Sequence, residues 1–332
     1  CSMLVTAVLT LNFFHEGIPL VIVPQRIFAG VNNFILLCIP FFMLAGELMS
    51  LTPLFEKLIN LSKALIGHIK GGLSHVNIVV SMFFAGITGA AVADTSAVGG
   101  ILIPAMEKEG YTKSYSVAVT VSSSTIGVII PPSNLMIVAA LATGSSVAIL
   151  FMGGLVPGIL SGLAQLVVSL IYAKRKGFPA AKPMSWKERV RVFWAGMPAI
   201  GIPVIIMGGI LGGVVTPTEA ANLTIFYAVI VGIFLLRSYP SLKTLYTSLV
   251  TVVQRLGAVM FAVGAAMVLG WLFAIAQVPD AIGSFILSIT TNPVLITLGM
   301  IATMLVIGTF LDPLPAILIF TPIFLPIAES IG

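Results

Sequence analysis

Charge is what this sequence has least of. Aspartate, glutamate, lysine and arginine make up 8% of it, against roughly 25% in soluble domains, while 58% is hydrophobic and the mean hydropathy is +1.15. That balance excludes a water-soluble globule and predicts an all-α polytopic protein in a lipid bilayer. Cysteine is nearly absent: Cys1 and Cys38 supply neither a disulfide framework nor a thiolate metal site. His15, His68 and His75 stand apart without metal-ligand spacing and read as structural or interfacial. No Walker A sequence occurs, so the chain carries no nucleotide-driven motor of its own. Energy for any transport must come from an ion gradient or another subunit.

The net charge of +5 does not point to nucleic acid, because seven of the sixteen Lys and Arg residues crowd into KRKGFPAAKPMSWKERVR at 174–191. By the positive-inside rule this is a cytoplasmic loop, and it sets the orientation. Apolar runs of about 17–25 residues, the length that spans a bilayer, occur near 31–49, 147–173, 193–215, 220–236, 257–275 and 294–311, with a shorter one at 3–14. Lys57, Lys63, Lys70, Lys108 and Lys113 fall on the cytoplasmic side, so 71–110 is expected to enter and return as a re-entrant hairpin, and 111–141 to cross. Arg26 is then the only outward-facing cation, since no Lys or Arg follows Arg255. Residues 53–67, PLFEKLINLSKALIG, have the period of an amphipathic helix and are expected to lie at the inner interface. The chain opens on Cys1 rather than Met, with apolar sequence almost at once, and is expected to begin inside a longer protein.

Two acids interrupt this apolar background. Asp94 lies in GITGAAVADTSAVGGILIPAMEKEG at 86–110, and Asp312 in FLDPLPAILIF. An ionised Asp at the centre of a span costs about 2.5–3.5 kcal/mol on insertion scales, so each needs a partner or a cation. The alternative is that each caps a half-helix. PAMEKEG at 104–110 and PIAESIG at 326–332 share P-x-x-E-x-x-G, and the charge map puts their segments on opposite faces. Together they predict inverted repeats with two re-entrant hairpins, the architecture of secondary transporters. In SSSTIGVIIPPSN, Pro131 and Pro132 lack amide hydrogens, so in a helix they would free the carbonyls of Gly127 and Val128. Pro313 would likewise free that of Thr309. Such carbonyls suit a hard monovalent cation, and Ser122, Ser123, Ser124 and Thr125 stand just upstream. The bland reading of the serine run is helix packing by small residues. Ser133 can cap a new half-helix whose positive end attracts a carboxylate. TPTEA at 216–220 reads as a capping box.

AGITGAAVADTSAVGGILIPAMEKEGY, SSSTIGVIIPPSN, GGVVTPTEAA and FLDPLPAILIFTPIFLPI closely resemble the large membrane subunit of the TRAP, or tripartite ATP-independent periplasmic, transporters. The resemblance runs from about residue 31 to the end. It implies an ion-transporter-superfamily elevator fold in a bacterial inner membrane. Sodium-coupled uptake of an organic acid, of the sialic acid or C4-dicarboxylate class, would come with it. The implied partners are a small membrane subunit and a periplasmic substrate-binding protein. The expected division is a scaffold at 1–70 with its interfacial helix 53–67, transport segments at 71–173, the basic loop 174–191, scaffold again at 192–293, and transport segments at 294–332. In the family another broken helix follows the second hairpin, and that segment is expected to be absent from this sequence. Carried onto this chain, the resemblance implies sodium at Gly89, Asp94, Ser122, Gly127 and Val128, and at Gly308, Thr309 and Asp312. It implies a substrate carboxylate at Ser96, Ser124, Thr125, Pro132, Ser133 and Asn134. The rivals are a stand-alone carboxylate symporter of the same superfamily, a passive channel, and an intramembrane aspartyl protease. The protease lacks support, because VAD and FLD replace the G-x-G-D such enzymes carry around one acid.

Overall fold

The computed structural model describes residues 2–14, 18–89, 91–180, 184–237 and 240–331; Cys1, His15 and Gly332 lie outside them. Every regular element among the described residues is helical. Fifteen α-helices follow one another: α1 Ser2–Phe14, α2 Ile22–Val31, α3 Cys38–Ser50, α4 Leu54–Ile66, α5 Gly72–Thr88, α6 Ala91–Lys108, α7 Lys113–Ser124, α8 Asn134–Thr143, α9 Val147–Lys176, α10 Trp186–Leu211, α11 Pro217–Ile230, α12 Leu242–Ile275, α13 Val278–Ile289, α14 Pro293–Gly308 and α15 Pro313–Ile331. Short 3-10 turns occupy Phe34–Leu37 and Thr125–Val128, and a π-turn extends α11 over Val231–Leu235.

Among the described residues, α9, α10, α11 with its π-turn, α12 and α15 are long and apolar enough to cross a membrane. The expected span 31–49 is built instead from the 3-10 turn and α3, after a break at Asn32 and Asn33. The basic loop is shorter than expected, because α9 runs on to Lys176 and α10 starts at Trp186. Lys174, Arg175 and Lys176 thereby sit in the last turn of α9, where the helix dipole favours cations, and Gly177 closes it in the left-handed conformation at φ 69°. The S-x-x-E of Ser185 and Glu188 forms a capping box that starts α10. Thr216 and Glu219 form the expected one at α11, with Pro217 in its first turn. No sequence signal singled out α13.

The chain divides into two compact units, Leu37–Met136 with Ser146–Val253, and Cys1–Leu36 with Ile137–Ser145 and Gln254–Gly332. In the larger, α5 packs against α3, α4, α6, α7 and α9, and α10 lies along α4. The apolar stripe of α4, Leu54, Phe55, Leu58, Ile59, Leu61 and Ala64, is buried against these neighbours. Its Phe55 ring meets Phe84 of α5 at 4.5 Å between centroids, a contact worth about 0.5–1.5 kcal/mol beyond its area. The helix expected at the lipid interface therefore turns its apolar side to protein. In the smaller unit, Ala7 and Leu11 of α1, Val23 of α2, and Val268 and Leu272 of α12 form the core. The second pair of helices, α14 and α15, joins through Thr309–Asp312 and packs together, with α13 against α15.

Glycine decides how closely α9 approaches the break after α7. A Cβ on Gly154 would meet the Ile129 carbonyl at 2.7 Å and collide with the Met136 methyl, whereas one on Gly153 would meet nothing within 4 Å. Gly154→Val should destabilise the protein by about 1–3 kcal/mol through overpacking, read as a lower thermal midpoint of the purified chain. Gly153→Val should leave the midpoint unchanged; equal effects would contradict this packing.

Candidate functional site

The site grows from two periodic polar stripes. On α5, Ser74, Asn77 and Ser81 recur at spacings of three and four, and on α7, Ser116, Thr120, Ser123 and Ser124 recur likewise, so each set lines one helical face. All seven are buried. Asn77 Nδ2 donates to Thr120 Oγ1 at 2.6 Å, and its Oδ1 accepts from Ser123 Oγ at 3.2 Å. Ser123 and Ser81 share a hydrogen bond of 3.0 Å. Ser74 reaches Ser169 of α9 at 2.8 Å, and Tyr115 meets the same hydroxyl at 3.1 Å. Helix-to-helix polar contacts of this kind satisfy groups that no water reaches.

Beside this network sits Asp94, fully buried. It is the fourth residue of α6, so the reading of Asp94 as the cap of a half-helix at Thr95 or Ser96 does not hold. The Ser124 and Ser81 hydroxyls lie next to its carboxylate, yet neither carboxylate oxygen has a hydrogen-bond partner. The reason is competition: Ser124 Oγ donates to the Thr120 carbonyl at 2.8 Å, and Ser81 is engaged with Ser123. Two acceptor oxygens are thus held out of water, facing hydroxyls whose lone pairs remain available.

The hairpin tip and the interrupted helix meet here. Gly89, at φ +60°, approaches so closely that a Cβ would lie 2.9 Å from the Asn134 nitrogen and 3.0 Å from the Pro132 carbonyl. After the 3-10 turn the chain passes a cis Pro131–Pro132 bond into α8. Ser133 stands at that entry, its hydroxyl accepting from the Met136 amide at 3.4 Å and donating to the Val128 carbonyl at 2.7 Å. Of the two carbonyls expected to be freed by the prolines, that of Val128 therefore has one donor already. The Ser122 carbonyl takes two, from Thr125 Oγ1 at 2.7 Å and Gln165 Nε2 at 3.0 Å. Ser122, Thr125 and Ser96 are exposed, with Ser96 Oγ bonded to the Val92 carbonyl. Gly127, Pro132 and Ser133 are buried.

The structure thus brings Gly89, Asp94, Ser124, Gly127, Val128, Pro132, Ser133 and Asn134 into the larger unit around one junction. Gly308, Thr309 and Asp312 belong to the smaller unit and are exposed. Asp312 Oδ1 accepts the Leu314 amide at 3.1 Å ahead of Pro313, so this acid does cap its helix. Of the two P-x-x-E-x-x-G copies, the first has Pro104 inside α6 and the second has Pro326 inside α15, each the second helix of a pair. The two acids are nevertheless placed differently, one within its helix and one ahead of it. Sequence reasoning missed Asn77, Ser81 and Thr120, although their three-and-four spacing was there to be read.

A multi-pass helical membrane protein with a polar site at an interrupted helix is what these features define. The family model described as "Tripartite ATP-independent periplasmic transporter, DctM component" matches residues 1–332, and the chain belongs to that family. It is similar to the uncharacterized protein YgiK of Salmonella typhimurium, 42% identical over 312 residues that cover 94% of this chain and 71% of that protein. It is 38% identical to the isethionate TRAP transporter permease protein of Oleidesulfovibrio alaskensis, over 95% of this chain and 50% of that protein. The sialic acid TRAP transporter large permease protein of Vibrio cholerae is 33% identical over 93% of this chain and 72% of its own length. The chain thus spans between half and about seven tenths of these relatives. Where their names assign a role, these relatives are transporter permeases and not enzymes.

Asn77 is the pivot of the α5–α7 network. Asn77→Leu leaves Thr120 without its cross-helix donor and Ser123 with Ser81 as its remaining partner on α5, at an expected cost of about 1–3 kcal/mol. A lowered thermal midpoint would bear this out. Thr120→Ser keeps the accepting hydroxyl and should stay near wild type; an undiminished midpoint in Asn77→Leu would refute the role.

Proposed function

We propose that this chain is the ion-coupled membrane component of an uptake system for an organic acid, driven by sodium. The observation that carries the reading is Asp94, a buried carboxylate with no hydrogen-bond partner on either oxygen, at the junction of a hairpin tip and a broken helix. A carboxylate so placed is offset by a cation or else pays the full cost of burial. The donor set is all oxygen, which suits a hard monovalent ion: Asp94, the hydroxyls of Ser81 and Ser124, and backbone carbonyls near Gly89, Gly127 and Val128. Ser122 is a weaker candidate, because its carbonyl already takes two donors. A second sodium site at Gly308, Thr309 and Asp312 has less support, since Asp312 is exposed and engaged as a cap.

The substrate anion lies against the start of α8, where Ser133 and Asn134 open the helix and its dipole attracts negative charge. Ser96, Ser124, Thr125 and Pro132 border that position in the same proposal. The sialic acid permease among the relatives supports an organic acid as cargo, and a C4-dicarboxylate is the other class. The family is tripartite by its description, so the partners are a small membrane subunit and a periplasmic binding protein that delivers substrate across a bacterial inner membrane. Movement is a rigid-body elevator displacement of the hairpin-bearing segments 71–173 and 294–332 against the scaffold at 1–70 and 192–293. In the larger unit the sliding surface is that of α5 against α3, α4 and α10.

Radiolabelled sialic acid or C4-dicarboxylate uptake into proteoliposomes holding the complete complex tests this. Uptake should require an inward sodium gradient and the binding protein. Asp94→Asn should abolish it or lower its apparent sodium affinity, while Asp312→Asn should have the smaller effect. Sodium-independent uptake, or unchanged sodium dependence in Asp94→Asn, would sink the coupling role. Uptake without the binding protein would favour a stand-alone symporter.

A further inference from the structure

The strongest feature outside this site lies in the smaller unit. Arg26, Ala29 and Gly30 of α2, Asn33, Leu141 of α8, and Met267 and Trp271 of α12 line a cavity of about 330 Å³. Three separate segments converge there. The charge map carries each of them to the outer face: α2 stands before the first inward crossing, α8 ends an outward one, and α12 ends another. The contact between α2 and α12 is close, since a Cβ on Gly30 would overlap the Met267 side chain.

Arg26 is the cation of this cavity. Its guanidinium lies 5.1 Å from the Trp271 ring centroid, an arrangement worth more as water is removed. Among the described residues no acid pairs with it. An arginine on the outer side runs against the distribution of charge in the rest of the chain, and its planar fork of five donors matches an oxyanion. Tryptophan with arginine at the end of a spanning helix marks headgroup depth. Leu20, Val21 and Phe28, in and just before α2, are exposed, Phe28 at 71%.

We propose that this cavity binds the phosphate of an outer-leaflet phospholipid, with Arg26 as the anion's anchor and the Trp271 ring holding the guanidinium in place. The ligand chemistry is an oxyanion, and a free organic acid or inorganic phosphate could offer the same group. The Arg26–Trp271 pair near the end of a spanning helix, the residue types of headgroup depth, favours the lipid. This site is separate from the proposed sodium site and does not depend on it.

Trp271 provides the readout. In a Trp186→Phe/Trp194→Phe chain it is the only tryptophan of the sequence. Purified, delipidated protein in detergent is titrated with phosphatidylglycerol carrying a nitroxide on its headgroup, and quenching of Trp271 emission is followed. Saturable quenching is expected. Arg26→Gln should raise the half-quenching concentration about tenfold, as for loss of a charge-assisted contact, with Arg26→Lys between the two. Ala29→Phe, which fills the cavity without touching the charge, should weaken quenching too. Thermal midpoints of the variants, measured alongside, should match the parent, because Arg26 and Ala29 are exposed. Quenching that is unchanged in Arg26→Gln and Ala29→Phe overturns the site. If sodium acetate or inorganic phosphate instead perturbs Trp271 saturably and in an Arg26-dependent way while the lipid does not, the oxyanion comes from solution and the lipid assignment falls.

Discussion

In a chain this poor in charge, everything depends on one constraint: a polar group inside the bilayer must find its partner within the protein, because no water is there to supply it. The helices meet that demand for their own backbones. Where the backbone is interrupted, side chains take over. The break after α7 is held by Ser133, which closes the Val128 carbonyl and the start of α8 at once. It is packed against α5, whose Asn77 and Ser81 continue the same network. The interruption is therefore embedded in protein on the side where its loose ends lie.

Asp94 stands out against that background because the same economy is not extended to it. Ser124 donates to the Thr120 carbonyl and Ser81 is paired with Ser123, and neither carboxylate oxygen has a hydrogen-bond partner. In the proposed coupling role, a network that fully satisfied Asp94 would leave the ion no place to bind. One that ignored the other polar groups would not fold. The arrangement seen lies between these: the hydrogen bonds between α5 and α7 are made, and the Asp94 carboxyl is left without one.

Much of this was legible in the sequence, and the misses have physical causes. Membrane residence followed from composition, and most spanning helices from apolar run length, because both are summed properties that neighbours barely alter. Helix starts at Thr216 followed from local capping chemistry, and the same rule applied to Ser185 would have moved the start of α10 to Trp186. The difference between Asp94 and Asp312 could not be read, since both stand near glycine or proline in broken apolar sequence. Only the fold decides that one falls inside its helix, sealed by Ser81 and Ser124, while the other stays at an exposed helix start. The apolar stripe of α4 was visible too, but a stripe does not say whether lipid or protein will cover it. The Asn77–Thr120 bond joins residues 43 apart in the chain, and nothing local announces such a pairing.

The capping boxes at Ser185–Glu188 and Thr216–Glu219 open two helices that follow each other in the chain. Each is complete within four residues, so it needs no partner helix in order to form. The exposed amides at those helix starts are then already occupied when the segment is handed to the membrane. The order of biosynthesis thus finds each of these spans sealed at its leading end, while the long-range polar bonds between α5, α7 and α9 are left for the stage at which inserted helices assemble.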